Sequence, residues 1–114
     1  MNNKKIAIYV RVSKRDMNPD NQKIALIKHA ELKGWEYDIF EEKESTRGTR
    51  PIKQEVLTLL RNRHYFGVLV WKLDRWARSL QELIVDIDEI THKGRDFIVL
   101  TQPIDTTSAS GRLF

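Results

Sequence analysis

Hydrophobic and polar positions along this chain follow two periods, and the pattern switches repeatedly between that of a strand and that of a helix. Lys5 to Val12 (KIAIYVRV) is rich in β-branched and aromatic residues and predicts a first strand. Asn18-Pro19 is a helix start, and the run that follows reaches Lys33 and stops at Gly34. Trp35 to Glu42 alternates as a second strand, and Lys43 to Arg50 (KESTRGTR) is a polar loop. Pro51 then opens a second helix, with Ile52, Val56, Leu59 and Leu60 at helical spacing. Phe66 to Trp71 (FGVLVW) is a continuous apolar run, the mark of a strand covered on both faces. Ser79 with Glu82 forms a capping box, and Leu80, Leu83, Ile84, Ile87 and Ile90 make one apolar stripe up to Gly94. Asp96 to Thr101 (DFIVLT) is a fourth strand, while Pro103 to Arg112 holds no regular period. Strands alternating with helices predict an α/β fold around a largely parallel sheet.

That architecture selects the residues to inspect for chemistry. Open parallel sheets bind ligands outside the carboxyl ends of their strands. Those ends are Arg11-Val12-Ser13, Lys72-Leu73-Asp74-Arg75 and Thr101-Gln102, with the Ser45–Arg50 loop on the same rim. A serine, an aspartate and the arginines Arg11, Arg50, Arg75 and Arg78 therefore converge on one edge. Arginine's planar fork suits phosphate and stays charged at any working pH. Among such cations, the Ser13 hydroxyl is a candidate nucleophile, its alkoxide stabilised by the surrounding charge. Asp74 would orient an arginine or move a proton. The plainer alternative is that Ser13 is a turn or cap residue, Asp74 pairs with a neighbour and the arginines are solvated.

Composition narrows the choice. With 114 residues, 40% of them hydrophobic and 32% charged, the chain is sized for one folded domain rather than a disordered tail, and its apolar runs are too short for a membrane span. The absence of cysteine excludes disulfides, thiolate catalysis and Cys-type zinc sites. The net charge of +4 fits a nucleic-acid partner without requiring one. Met-Asn-Asn-Lys-Lys leads straight into a strand, so a cytoplasmic location is expected. Neither a G-x-x-x-x-G-K-S/T loop nor a G-x-G-x-x-G turn is present. His29, His64 and His92 are too widely spaced to suggest a metal site, and Asp86, Asp88 and Glu89 read as a solvated acidic face.

At this point the motifs resemble a known family. Tyr9-Val10-Arg11-Val12-Ser13 is similar to the Y-x-R-V-S signature of the serine recombinases, the resolvase and invertase group. Gln22 sits where that family carries a glutamine. Glu42, Ser45 and Arg50-Pro51 resemble its acidic-x-x-Ser…Arg-Pro loop. Val70 to Leu80 (VWKLDRWARSL) is similar to W-K-x-D-R-x-x-R-S, its most specific block, and Ile104-Asp105-Thr106 with Gly111-Arg112 matches I-D-T…G-R. The blocks cover nearly the whole chain in the family's order.

The resemblance implies a three-layer resolvase-like α/β domain, with a largely parallel four- to five-stranded sheet flanked by helices. It implies that Ser13 attacks a DNA phosphodiester to give a 5′-phosphoseryl linkage and a free 3′-hydroxyl, with no cofactor and no metal. Arg11, Arg75 and Arg78 would surround the phosphate with Asp74 beside them; Arg50 would also reach it, and Tyr9, Gln22, Glu42 and Ser45 would support the site. The partners implied are double-stranded DNA, a homodimer and a synaptic homotetramer. Residues 1–114 would be the catalytic domain, without the long dimerisation helix and DNA-binding domain of the family, and weak or inactive alone. Ser45-Thr46 departs from the family's Ser-Gly, and Trp76-Ala77 from its Leu-Gly; Trp76 reads as a core or interface filler. A non-catalytic dimerisation or regulatory module of a mobile element, and a small phosphatase or nucleotide-binding domain, are the alternatives.

Overall fold

The computed structural model describes residues 4–44, 49–102 and 104–105. Its elements are β1 (Lys5–Val12), α1 (Pro19–Leu32), β2 (Glu36–Lys43), α2 (Pro51–Arg61), β3 (Gly67–Val70), a 3-10 turn at Leu73–Arg75, α3 (Leu80–His92), β4 (Asp96–Val99) and a two-residue β5 (Ile104–Asp105). The sheet order is β2-β1-β3-β4-β5, with the first four strands parallel and β5 antiparallel to β4.

The alternation in β1 builds the three layers. Ile6, Ile8 and Val10 face α1, where they pack with Leu26 and Ala30. Ala7 and Tyr9 point the other way, into a core closed by Val56, Leu57 and Leu60 of α2 and Leu83 and Ile90 of α3. Successive strand residues leave opposite faces of the sheet, so one eight-residue segment serves both cores. Burial of such side chains contributes roughly 1.5–3 kcal/mol each. Helices α1 and α3 both end on a glycine with positive φ, Gly34 at 74° and Gly94 at 75°, as the left-handed C-terminal cap requires.

The stripe on α3 is wider than the core it meets. Leu83 and Ile90 are buried, but Leu80 is 71% exposed and Ile84 58% exposed. With Leu73, Ile87, Asp88 and Thr91 they line an open groove. A second expectation is corrected at Asp86, which is buried rather than part of a solvated face. Its carboxylate meets the Lys53 ammonium at 2.7 Å and accepts a 3.1 Å hydrogen bond from the Trp76 indole N–H. The burial of a carboxylate here is offset by an ion pair and a donor, as buried charges require.

Two features place the functional edge. The connections from β1 and β3 run to opposite faces of the sheet, so the crevice for a ligand lies between the carboxyl ends of these two strands. In addition, β1 outruns β3, whose pairing with it ends at Tyr9 opposite Val70. The 3-10 turn and the loop around Arg75 fill the space beside Arg11 that β3 leaves.

Candidate active site

At the end of β1 the chain turns sharply. The Ser13 carbonyl accepts from the Asp16 N–H at 3.1 Å, closing a four-residue turn. The Asp16 carboxylate accepts in return from the Ser13 N–H at 2.8 Å, and the Ser13 hydroxyl accepts from the Arg15 N–H at 3.2 Å. Ser13 is thus held as a half-buried turn residue at the strand end. The structural role and a chemical one are compatible, because the hydroxyl accepts here and donates to no partner among the described residues.

Arg11 and Arg75 hold one another across the crevice. The Arg11 Nη2 donates to the Asp74 carbonyl at 2.6 Å, and the Arg75 Nη1 donates to the Arg11 carbonyl at 3.3 Å. Each guanidinium is therefore fixed by the main chain beside the other. Arg11 also pairs with Glu44 at 2.9 Å. The Arg75 fork grips Asp16, with Nη2 to Oδ1 at 2.7 Å and Nη1 to Oδ2 at 3.3 Å. The Ser13 N–H above all holds the Asp16 carboxyl below the ordinary carboxylate range; burial opposes it, and the Arg75 hydrogen bond and charge add to the lowering.

Arg50 lies deeper. It is 9% exposed, and its Nη1 donates to the Trp76 carbonyl at 2.6 Å, with Glu82 at 3.7 Å. Burial and then the Arg11 charge lower its guanidinium from its ordinary value, though arginine stays protonated at any working pH. Four buried nitrogens in this group have no hydrogen-bond partner among the described residues: Nε of Arg11, Nε of Arg75, and Nε and Nη2 of Arg50. Buried donors without partners are costly. A cluster of them on adjacent cations fits an anion with several acceptor oxygens.

The other expected residues divide. Arg78 is exposed at the start of α3, with no partner for its guanidinium among the described residues, while its N–H donates to Glu82 at 2.9 Å. The Asp74 carboxylate is exposed, and it is the Asp74 carbonyl that orients Arg11. Tyr9 is buried, donates to Glu42 at 2.5 Å and stands edge-on to Trp76. Glu42 also accepts from the N–H groups of Ile52 at 2.8 Å and Lys53 at 3.1 Å. A strand carboxylate thereby caps the N-terminus of α2, whose own cap residue, Arg50, supplies no side-chain cap bond. Gln22 is buried on α1 with its Oε1 unpartnered among the described residues. Ser45, Thr106, Gly111 and Arg112 lie outside the described residues. Trp76 is fully buried, a core filler as its sequence context predicts.

Sequence reasoning missed Asp16 and the cluster beneath Arg50. There the Lys53 ammonium, 1% exposed, contacts both Glu82 and Asp86 and lies 4.7 Å from the Trp76 ring centre. A local signal for Asp16 exists in the Ser-x-x-Asp spacing, which permits the reciprocal turn bonds seen here.

Comparison with known proteins decides what this edge belongs to. The family model for the resolvase N-terminal domain matches residues 6–114. The chain is 43% identical over 107 residues to the serine recombinase gin of Escherichia phage Mu, covering 93% of this chain and 52% of that protein. It is 41% identical over 107 residues to a DNA-invertase of Enterobacteria phage P7, covering 93% and 54%. The chain belongs to the serine recombinase family. The solved N-terminal catalytic domain of TP901-1 integrase shares its fold, with a TM-score of 0.85 and 37% identity over 97% of this chain and 88% of that one. The chain spans about half the length of the phage recombinases it matches. Within this serine recombinase domain, Ser13, Arg11, Asp74 and Arg75 stand together at the switch point, Arg50 sits beneath them, and Tyr9 and Glu42 brace the wall behind. No helix among the described residues is long and apolar enough to cross a membrane.

Proposed function

We propose that this domain cleaves and rejoins DNA by phosphoryl transfer to Ser13. The Ser13 Oγ attacks a backbone phosphorus; the Oγ–P bond forms as the bond from phosphorus to the 3′ oxygen breaks. The serine hydroxyl loses its proton, the departing 3′ oxygen gains one, and the 5′ phosphate stays on the enzyme as a phosphoserine ester. Attack by a new 3′-hydroxyl reverses these changes, so the bond energy is conserved and strand exchange needs no external energy source.

The observation that carries this reading is the group of unpartnered guanidinium nitrogens on Arg11, Arg75 and Arg50 beside the Ser13 turn. A phosphorane carries more negative charge than the phosphodiester, so fixed cations favour the transition state over the ground state. Exposed Arg78 would close the site from the α3 side. Asp74, exposed next to Arg11, would serve the proton balance; Gln22 and Ser45 would support the geometry. For the full-length protein we propose site-specific recombination on double-stranded DNA by a homodimer that pairs into a tetramer. Residues 1–114 would supply the chemistry but little sequence discrimination, since phosphate contacts carry no sequence information.

The test is to incubate full-length protein with a nicked suicide substrate and look for a covalent protein–DNA complex. The complex is expected with wild type and absent with Ser13→Ala. An adduct that survives Ser13→Ala names another nucleophile, and no adduct from wild type favours the non-catalytic module.

A further inference from the structure

The loop after β1 is anchored at one residue that the proposed chemistry does not use. In residues 13–18, Lys14, Arg15, Met17 and Asn18 are exposed, and Met17 is 91% exposed. Only Ser13 and Asp16 are half-buried. Asp16 spends both carboxylate oxygens on the site: Oδ2 accepts the Ser13 N–H at 2.8 Å and the Arg75 Nη1 at 3.3 Å, and Oδ1 accepts the Arg75 Nη2 at 2.7 Å. The proposed nucleophile and a proposed phosphate ligand, 62 positions apart in the chain by their numbers (75 less 13), are thus joined through one side chain.

We infer that Asp16 is a positioning residue that locks the Ser13 turn to the Arg75 guanidinium, so that hydroxyl and cation meet the phosphate as one rigid unit. The inference rests on the Ser13 phosphoryl-transfer reading. Without the bridge, the strand end is joined to the Arg75 turn through Arg11 alone among the described residues, by its carbonyl to the Arg75 Nη1 and by its Nη2 to the Asp74 carbonyl, neither of which holds the Ser13 turn itself. The grip occupies both terminal nitrogens of Arg75 and leaves its buried Nε without a partner among the described residues. The opposite physical possibility is that the carboxylate merely stands where the phosphate must go. The two make opposite predictions, because removing a competitor speeds the reaction and removing a brace slows it.

The experiment uses full-length protein and the same suicide substrate, with adduct formation and DNA binding measured separately. Misplacement of reacting groups by about 1 Å costs on the order of 10²-fold. Asp16→Ala is therefore expected to cut the adduct rate by about that factor while leaving DNA affinity unchanged. Asp16→Asn keeps the shape and an acceptor for the Ser13 N–H, and is expected to lose less. In an Arg75→Ala background, Asp16→Ala is expected to add little, since one end of the bridge is already gone. A rate equal to or faster than wild type, or a full and independent loss in the Arg75→Ala background, overturns the inference.

Carboxyl-detected NMR titration separates this outcome from a failure of the underlying reading. Asp16 is expected to titrate below the ordinary carboxylate range in wild type and to move up in Arg75→Ala. An ordinary Asp16 titration in wild type overturns the bridge even where Ser13 forms its adduct. Loss of the adduct in wild type with the Asp16 shift intact faults the nucleophile assignment instead.

Discussion

Two ionic clusters adjoin at the carboxyl edge of the sheet, and they are built on opposite principles. In the buried one, Lys53 is 1% exposed and contacts Glu82 and Asp86, the Trp76 indole donates to Asp86, and no buried side-chain nitrogen or oxygen among these four lacks a partner. At the rim, Arg11 and Arg75 are half-buried, yet each keeps a buried Nε without a partner, and Arg50 keeps two such nitrogens. A closed network fixes structure. On the proposed function, a network with donors left over is where a phosphate would be taken up. Arg50 joins the two, donating to the Trp76 carbonyl while facing Glu82.

The sharpest way to break this comparison is to remove the central cation of the closed cluster. Lys53→Met removes the ammonium that Glu82 and Asp86 share, leaving Glu82 the more distant Arg50 and the Arg78 N–H, and leaving buried Asp86 only the Trp76 N–H among the described residues. Deleting one partner of a buried ion pair costs about 3–5 kcal/mol, and urea denaturation is expected to show a loss of that size. A loss under 1 kcal/mol means that the cluster does not organise the α2–α3 side of the fold.

Arg75→Ala is expected to behave in the reverse way. Its pair with Asp16 is half-buried rather than enclosed, and Asp16 keeps the Ser13 N–H when the arginine goes, so the stability cost is expected to be small, roughly 1 kcal/mol. Removing a preorganised donor from a developing anion, by contrast, costs roughly 10²–10³-fold in rate. Near-wild-type stability in urea, with adduct formation down by at least about 10²-fold, keeps the distinction between rim and core. A large stability loss with a small rate loss erases it.

The difference in partnering also explains what could be read from the sequence. The strand pattern of KIAIYVRV and the glycine stops at Gly34 and Gly94 are local signals, and the observed bounds of β1 are Lys5–Val12, as expected. The arginine-rich rim was legible because strand ends in a parallel sheet share one edge whatever the side chains do. Asp86 was misread because acidity alone points to solvent, whereas its partner Lys53 comes from another helix, 33 positions earlier (86 less 53). Asp16 was overlooked for the same reason, its partner Arg75 lying 59 positions away. The α3 stripe misled in the other direction, since helical periodicity reports apolar faces but not how much of each face the sheet can cover.

Acid sharpens the comparison further. Asp16 at the rim and Glu82 at the closed cluster both titrate below their ordinary values. For Asp16 the Ser13 N–H leads, followed by Arg75; for Glu82 burial pushes upward, but Lys53, the Arg78 N–H and Arg50 outweigh it. Surface carboxylates Asp38 and Glu89 are also lowered, by hydrogen bonds from Tyr65 and Arg61 respectively. A folded-state value below the unfolded one gives stability that is present above the unfolded value, about 4, and lost as pH falls through the folded value. Urea midpoints are therefore expected to stay level from about pH 7 to 5 and to fall below about pH 4. Asp16→Asn is expected to make that fall shallower; an unchanged slope would detach the rim from the acid response.

Tyr9 provides the smallest and most local test, because it touches the fully buried Trp76 with its ring and the Glu42 cap with its hydroxyl. Tyr9→Phe keeps the ring and removes one donor, while Glu42 retains the N–H groups of Ile52 and Lys53. A single lost hydrogen bond costs about 1 kcal/mol, and urea denaturation at neutral pH is expected to show it. The alkaline side carries the more specific signature. Burial first, and then the Glu42 hydrogen bond and charge, push the Tyr9 hydroxyl far above its ordinary value. A folded value above the unfolded one gives stability that is complete below about pH 10 and lost as pH rises toward the folded value. Wild type is therefore expected to weaken above about pH 10, in part through Tyr9 and in part through Tyr65, whose hydroxyl is raised by burial and Asp38. Tyr9→Phe is expected to remove its share of that decline and leave the share of Tyr65. An alkaline decline identical to wild type would mean that Glu42 caps α2 without depending on the tyrosine.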